Sequence, residues 1–266
     1  MQLPNIREMF VPDPGYIIAD VDLDRADAQV VAWEADDATL KRALKLGADT
    51  HLLNAFTLAE KEEPPLEFLV PGHQEYKIIK SDMAAARQFA KNWCHGTNYG
   101  GSARTMARAA HCTVAASERA QILYFRKYPG IKEWHQRVER SLYSTRTVSN
   151  KLGYRRIYFD RVEGLLPQAL AWIPQSTVGL VINEAWEALD RELPEVEILL
   201  QVHDSLVMQF KRIDYPDILP EIHKRMQVTV PYDDPLIIPS GIKLSQHSWG
   251  ACKEHSWDPA ERWASI

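Results

Sequence analysis

The sequence is poor in cysteine and has none at the spacings that bind zinc. Cys94, Cys112 and Cys252 are odd in number and form no CxxC pair, which argues against a zinc site and against a disulfide framework. The chain also lacks any apolar run of about 18 residues. Its opening residues, MQLPNIREMF, lack the charged-then-apolar pattern of a signal peptide. We therefore expect a soluble, intracellular protein without a membrane partner.

Internal repeats, low-complexity tracts and long Gly/Ser linkers are also absent from the sequence. The 266 residues are 45% hydrophobic and 25% charged, which is a globular composition with enough apolar residues for a sizeable core. The length fits one large domain or two smaller ones.

The net charge of −5 conceals a basic block in the middle of the chain. Residues 77–161 contain 17 Lys and Arg against five acidic residues, a local net charge of +12, which leaves −17 for the rest. A basic middle between acidic flanks is typical of a polyanion-binding surface. Several solvated helix faces would give the same block, and charge alone does not separate the two interpretations.

Apolar periodicity and turn residues predict strands near both ends of the chain and helices between them. We expect a strand at 16–22, hairpins at 150–159 and 196–210, and a strand pair or extended segment at 235–244. The predicted helices cover 25–45, about 50–60, 80–98, 115–127, 131–145, 168–191 and 216–228, with a Pro-rich loop at 61–76. This order predicts an α+β fold in which an antiparallel sheet carries a helical insertion.

The stretch QVHDSLV places a polar trio between two apolar strands. Asp204 lies at the junction, where a short acidic side chain can hydrogen-bond its own backbone and form the turn. The same geometry would present Asp204 to a ligand. The tripeptide alone is compatible with both interpretations.

A second acid, Asp22, closes the predicted strand YIIADVD. Two carboxylates on adjacent strands could bind a pair of hard cations of the kind that polymerases and nucleases use for phosphoryl transfer. Asp20, Asp24 and Asp27 compete for this role. Spacing leaves Asp20 open, because residues two apart point to the same face of a strand.

The stretch RQFAKNWCHGTNYGG carries a polar stripe at a four-residue spacing, formed by Arg87, Lys91, His95 and Tyr99. At 3.6 residues per turn these side chains share one broad helix face. Phe89, Ala90 and Trp93 can pack the opposite face. The cations suit a triphosphate and the rings suit a base, although a solvated basic face gives the same pattern. Gly96 and Gly100 favour the ligand interpretation, because glycine inside a helix indicates a close approach to the backbone.

Three separated segments together resemble family A DNA polymerases, the bacterial polymerase I type and its phage relatives. YIIADVDLDRADAQ is similar to motif A of that family, RQFAKNWCHGTNYGGS to motif B and QVHDSLV to motif C, in the same order and spacing. AWIPQSTVGLVIN, ADTH and LPNI resemble its Gln-containing segment, its DIH sequence and the stretch before its palm.

The resemblance implies a palm in two parts, 1–60 with motif A and 151–266 with motif C, around fingers at 61–150. The family's thumb and exonuclease-like domains precede LPNI, so we expect both to be absent here and a separate chain to be a candidate for carrying them.

The resemblance also assigns roles to individual residues. Asp22 and Asp204 would be the catalytic metal ligands, with the backbone carbonyl of Leu23, for two Mg²⁺ ions or alternatively Mn²⁺. The dNTP-binding residues would be Arg87, Lys91 and His51 at the triphosphate, together with His95, Tyr99 and Asp27. The DNA-binding residues would be Tyr99 at the template base, Gly100, Gln175 and His203.

Four positions depart from the pattern of the family. Asp27 replaces the Glu that closes the sugar pocket against a 2′-hydroxyl, and Gln29 replaces the motif A Arg. His95 stands where Phe or Tyr is usual, and Ser205 replaces the acid after the motif C Asp. These changes concern sugar selectivity and analogue discrimination rather than the metal ligands.

The resemblance implies a template-dependent DNA polymerase that adds dNTP to a primer 3′ end in DNA replication, in the cytoplasm of a bacterial or phage-infected cell. One alternative is an inactive or accessory nucleic-acid-binding remnant of the same fold. Another is a two-metal nuclease, which would use the acids but not the stripe on the helix.

Overall fold

The computed structural model describes residues 5–255. Leu3 and Pro4 of the LPNI segment, and the outer ends of the first and last predicted palm segments, lie outside the described residues. The chain divides into two compact units. We call Asp27–Gln175 the helical unit, and the segments before and after it together the sheet unit.

Ten α-helices and nine strands lie within the described residues. The strands are β1 (Tyr16–Leu23), β2 (Thr147–Ser149), β3 (Arg155–Ile157), β4 (Glu197–Val202), β5 (Ser205–Lys211), β6 (Thr229–Val230), β7 (Leu236–Ile237), β8 (Ser240–Ser245) and β9 (Lys253–His255). The helices are α1 (Ala26–Glu34), α2 (Ala38–Lys45), α3 (Thr50–Leu58), α4 (Tyr76–Asp82), α5 (Ala84–Asn98), α6 (Ala103–Ala109), α7 (Val114–Lys127), α8 (Pro129–Thr145), α9 (Leu166–Glu192) and α10 (Tyr215–Met226).

The sheet unit is built on five antiparallel strands in the order β4-β5-β1-β8-β9. The predicted strand at 16–22 is the central strand β1. Its apolar run is buried on both faces, which is why the residues do not alternate with polar ones. On one face, Ile18 packs with Val207 and Trp249. The sheet thus holds the end of β1 rigidly.

The helical unit contains most of the predicted helices and the predicted hairpin, which is β2 paired with β3. The residues of α9 are divided between the two units, and α10 lies in the sheet unit. Its core holds large aromatic side chains, of which Trp93, Tyr124 and Tyr128 are almost fully buried. Each polar atom of these rings finds a partner: Trp93 donates to Ser117 Oγ at 3.0 Å, and Tyr128 donates to Asn54 Oδ1 at 2.7 Å. This core supports α5, the helix with the polar stripe.

The single helix predicted over 25–45 is wrong, because the chain forms α1 and α2 with a break between them. Asp36 adopts a left-handed conformation, with φ of 49°. Asp37 then caps α2 by accepting hydrogen bonds from the amides of Thr39 and Leu40. The regular apolar spacing continues across this break and concealed it.

Three further elements differ from expectation. The helix predicted at 80–98 is interrupted at Met83, between α4 and α5. Helix α6, capped by the Ser102 hydroxyl, and the edge strand β9 were not predicted. The predicted boundaries at residues 60 and 150 both fall inside the helical unit, and the division into palm and fingers at those residues stays a prediction. None of the helices described in residues 5–255 has the length and apolar character needed to span a membrane.

Candidate active site

The sheet unit brings Asp22 and Asp204 to the same corner of the sheet. Asp22 lies opposite Ser205 in the β1–β5 register. The amide of the next residue, Leu23, donates to the carbonyl of Asp204 at 3.0 Å. Backbone hydrogen bonding next to the two acids therefore holds the end of β1 against the turn between β4 and β5.

The turn that carries Asp204 is a two-residue connection. His203 is exposed and left-handed, with φ of 57°, a conformation that is uncommon outside glycine but that Asn, Asp and His adopt more often than other residues. The Ser205 hydroxyl donates to the carbonyl of Val202 at 3.1 Å. Ser205, which stands in place of the acid in the family pattern, thus stabilises the turn through its hydroxyl.

Negative charge is crowded at this corner of the sheet. Burial, followed by the nearby Asp204 carboxylate, raises the pKa of Asp22 to about 6, and Asp20 and Asp24 add smaller effects in the same direction. Lys243 opposes the shift from 3.9 Å. Carboxylates that repel one another in this way are suited to bind a cation between them.

The donor atoms available here fit a hard divalent cation. Carboxylates, together with a backbone carbonyl such as that of Leu23, form the oxygen set that Mg²⁺ prefers. Among the described residues, no group of three or more His, Cys, Asp and Glu side chains has a metal-binding arrangement. The candidate metal site therefore consists of the two carboxylates of Asp22 and Asp204, without a complete set of side-chain ligands among the described residues.

The competing acids of motif A have other environments. Asp20 is buried, and its Oδ2 accepts a hydrogen bond from the Trp249 indole at 2.8 Å. Asp24 accepts from the Arg25 guanidinium at 2.7 Å. Asp22 is half-exposed, so its carboxylate is open to a ligand from solvent.

In the helical unit, α5 presents the predicted stripe. Arg87, Lys91 and His95 lie on the helix, and Tyr99 is its C-terminal cap residue. Lys91 and His95 are exposed. The opposite face of the helix is buried through Ala90 and Trp93, as predicted, while Phe89 is half-buried.

A cavity of about 50 Å³ beside α5 gathers four of the predicted nucleotide-binding residues. They are Asp27, His51, His95 and Tyr99. The Tyr99 hydroxyl donates to Asp27 Oδ2 at 2.8 Å, and the Tyr99 and His95 rings meet edge to face at 4.7 Å. Burial and then the adjacent Asp27 carboxylate raise the pKa of Tyr99, so its hydroxyl keeps its proton.

Gly96 and Gly100, which lie beside the stripe in sequence, allow close packing within the chain. A Cβ on Gly96 would lie 2.5 Å from the Met106 side chain of α6, so the close approach predicted here is made by the protein itself. Gly100 has φ of +72° just after the helix, and a Cβ there would approach Leu170 at 3.1 Å. A DNA contact at Gly100 and one at Gln175, which is exposed on α9, stay predictions.

The sequence predicted no role for Asp49, although it lies in the ADTH segment. Asp49 is buried at the N-terminus of α3, and its carboxylate accepts a hydrogen bond from Arg87 Nε at 2.7 Å. Two local signals were present: Asp49 belongs to the ADTH segment that resembles the family's DIH sequence, and Asp is preferred as a cap before a helix. The pairing joins residues 38 apart in sequence, which no local pattern predicts.

The motifs in this geometry agree with the comparison to known families. A sequence profile of DNA polymerase family A matches residues 2–249. The chain belongs to DNA polymerase family A. The resemblance inferred from motifs A, B and C is thus confirmed at the level of the family.

Family A relatives align over most of this chain. The DNA polymerase of Mycobacterium phage D29 is 25% identical over 246 residues, which cover 92% of this chain and 37% of the phage protein. DNA polymerase I of Pseudomonas aeruginosa is 26% identical over 249 residues, which cover 89% of this chain and 25% of that protein. This family A chain therefore spans well under half the length of these relatives.

A solved family A structure shares the fold. The POL domain of Pol1 from M. smegmatis, in complex with DNA primer-template and dNTP, matches with a TM-score of 0.77 at 22% identity. The match covers 92% of this chain and 42% of that one. The predicted α+β class, with an antiparallel sheet and a helical insertion, is confirmed.

Proposed function

We propose that this chain is the catalytic portion of a template-dependent DNA polymerase that adds dNTP to a primer 3′ end. One observation carries the proposal. Asp22 and Asp204, the acids at the motif A and motif C positions, are held at one corner of the sheet by the Leu23–Asp204 backbone hydrogen bond. Such a pair of carboxylates meets the charge requirement of two-metal phosphoryl transfer.

Asp22 and Asp204 would hold two Mg²⁺ ions, with the carbonyl of Leu23 as a further oxygen ligand and Mn²⁺ as an alternative ion. When bound, such ions neutralise the charge that develops as the primer oxygen displaces pyrophosphate from the α-phosphate. The half-exposed position of Asp22 leaves its carboxylate accessible to them. Lys243, 3.9 Å away, offsets part of the negative charge before they bind.

The α5 stripe would bind the incoming nucleotide. The Arg87 guanidinium and the Lys91 ammonium supply positive charge for the triphosphate, with His51 as a further donor. His95 and Tyr99 offer rings for the base, since stacking tolerates any base. Asp27, hydrogen-bonded to Tyr99, would form the wall beneath the sugar.

Primer-template DNA is the proposed partner, because the domain of Pol1 from M. smegmatis with the same fold holds primer-template and dNTP. The basic block at 77–161 would contact phosphates. Tyr99 and Gly100 would lie at the template base, and Gln175 and His203 would contact the primer-template duplex. The exposure of Gln175 and His203 supports such a role.

Primer extension with a labelled dNTP and Mg²⁺ tests the proposal. The wild-type chain should lengthen the primer, whereas an accessory protein would leave it unchanged and a nuclease would shorten it. Asp22→Asn and Asp204→Asn should each abolish lengthening while the thermal unfolding midpoint stays within a few degrees. Asp24→Asn, which removes a carboxylate from the same strand end, should retain activity. Full activity of either Asp22→Asn or Asp204→Asn would overturn the metal assignment.

A further inference from the structure

The Asp49 carboxylate links three elements of the helical unit. Its Oδ1 accepts the amide of Leu52 at 3.0 Å and so caps α3, the helix that carries His51. Its Oδ2 accepts from Arg87 Nε on α5 at 2.7 Å and from the Tyr76 hydroxyl on α4 at 3.0 Å. The side chain of Asp49 is 6% exposed.

A buried carboxylate with this set of donors fixes the groups around it. Burial raises the pKa of Asp49, but the hydrogen bond from Arg87 and the further donors from Leu52 and Tyr76 outweigh it, and the net pKa is lowered. The charge is therefore kept at neutral pH. A charged, fully bonded carboxylate in a poorly solvated site holds its partners in one geometry.

The contact uses only part of the Arg87 guanidinium. Guanidinium has five N–H donors in a planar fork, and within residues 5–255 Arg87 donates to Asp49 through Nε. Four N–H groups on the two terminal nitrogens are left for an anionic ligand. Their plane and direction follow from the Nε contact, because the fork is rigid.

We propose that Asp49 is a positioning residue for dNTP binding, which orients the terminal nitrogens of Arg87 toward the triphosphate and fixes the start of the helix that carries His51. This inference rests on the proposed polymerase function. Asp49 also offsets the positive charge of Arg87, and by charge alone Asp49 would weaken phosphate binding. Neutralising Asp49 should therefore weaken dNTP binding if orientation dominates, and strengthen dNTP binding if charge dominates.

Asp49→Asn separates these effects. Asparagine keeps the volume and the N-cap acceptor, but its single oxygen cannot both cap α3 and accept from Arg87 Nε. We expect the KM for dNTP to rise about tenfold, the size of one charged hydrogen bond, with kcat changed less. Asp37→Asn is the matched control, since Asp37 is equally buried and caps α2, and no arginine among residues 5–255 donates to it. Its KM should stay that of the wild type.

A double-mutant cycle shows whether Asp49 acts through Arg87. In an Arg87→Ala background, Asp49→Asn should change KM by less than about twofold, because the group that it positions is gone. An equal rise in both backgrounds would mean that Asp49 serves only the fold, and a KM for Asp49→Asn that is unchanged or lower would also overturn the proposal.

Two further measurements cover an unstable variant and an inactive chain. Arg87→Lys keeps Asp49 but replaces the fork by a point charge that Asp49 attracts, so its KM should approach that of Arg87→Ala; near-normal KM would contradict orientation by the fork. Calorimetric binding of dNTP repeats each comparison without turnover. A wild type that binds dNTP but never extends a primer would refute the polymerase proposal and leave the Asp49 comparison intact.

Discussion

Lengthening Asp27 by one methylene should sharpen the choice between deoxyribonucleotides and ribonucleotides. Asp27 lines the cavity of about 50 Å³ together with His51, His95 and Tyr99, and family A polymerases of the usual pattern have Glu at this position. In Asp27→Glu the carboxylate would extend further beneath the sugar. The 2′-hydroxyl of a ribonucleotide would then meet a closer wall.

The cavity determines the expected size of the effects. A water needs about 10–15 Å³ on a comparable volume measure, so the cavity at Asp27 accepts one more methylene without the overpacking cost of about 1–3 kcal/mol. The hydrogen bond from Tyr99, 2.8 Å long, can follow the longer side chain. A difference of one methylene in a pocket wall changes discrimination between substrates by about 1–3 kcal/mol, which is about 5- to 150-fold in the ratio of kcat/KM for dNTP to that for rNTP.

The assay is single-nucleotide incorporation, with kcat/KM measured for a dNTP and the rNTP of the same base. Asp27→Glu should raise the ratio of the two values, and Asp27→Ala should lower it. Asp82→Glu makes the same chemical change at an exposed site on α4 and should leave the ratio unaltered. A folded Asp27→Glu with the wild-type ratio would refute the role of Asp27 at the sugar.

Three further outcomes test other parts of the account. Gly130→Ala should destabilise the chain by about 1–3 kcal/mol in urea unfolding, because its Cβ would lie 2.4 Å from the carbonyl oxygen of Ala35. Gly179→Ala should stabilise it by about 0.5–1 kcal/mol, because outside its own helix turn a Cβ there would meet no described atom within 4 Å. The opposite order would contradict the packing. The pKa of Asp49 is lowered from its ordinary value of 3.8, so its contribution to stability is present above that pH and lost as pH falls through the folded-state value. The unfolding free energy of the wild type minus that of Asp49→Asn should thus be flat above about pH 5 and shrink below it; a difference that grows in acid would contradict the sign. Lys91→Ala should lower kcat/KM for dNTP in incorporation kinetics, by a factor that corresponds to a loss of about 1.5–3 kcal/mol of binding free energy in the transition state. An unchanged kcat/KM would show that the stripe faces another ligand.

Local patterns were sufficient for the elements that carry the motifs. The apolar run around Asp22 and the alternation before His203 predicted β1 and the β4–β5 hairpin, because strand burial leaves a direct trace in residue order. The four-residue spacing around Lys91 likewise predicted the exposed face of α5. These elements needed no knowledge of their neighbours.

Elements defined by distant contacts were not predictable in this way. Strand β9 has the sequence Lys253–His255, three polar residues that form a strand because β8 pairs with them. The Asp49–Arg87 contact joins two helices, and its existence depends on how α3 packs along α5. The break after α1 depends on the left-handed Asp36, a conformation that periodicity does not report.

The most direct test of the central claim measures cation binding and incorporation on the same preparations. Mn²⁺ titrations followed by electron paramagnetic resonance should show bound ions in the wild type and in Asp24→Asn. Both Asp22→Asn and Asp204→Asn should lose bound Mn²⁺ and single-nucleotide incorporation together. Incorporation at the wild-type rate by a variant that no longer binds the ions, or undiminished Mn²⁺ binding by both variants, would contradict the claim that these two acids form the catalytic metal site.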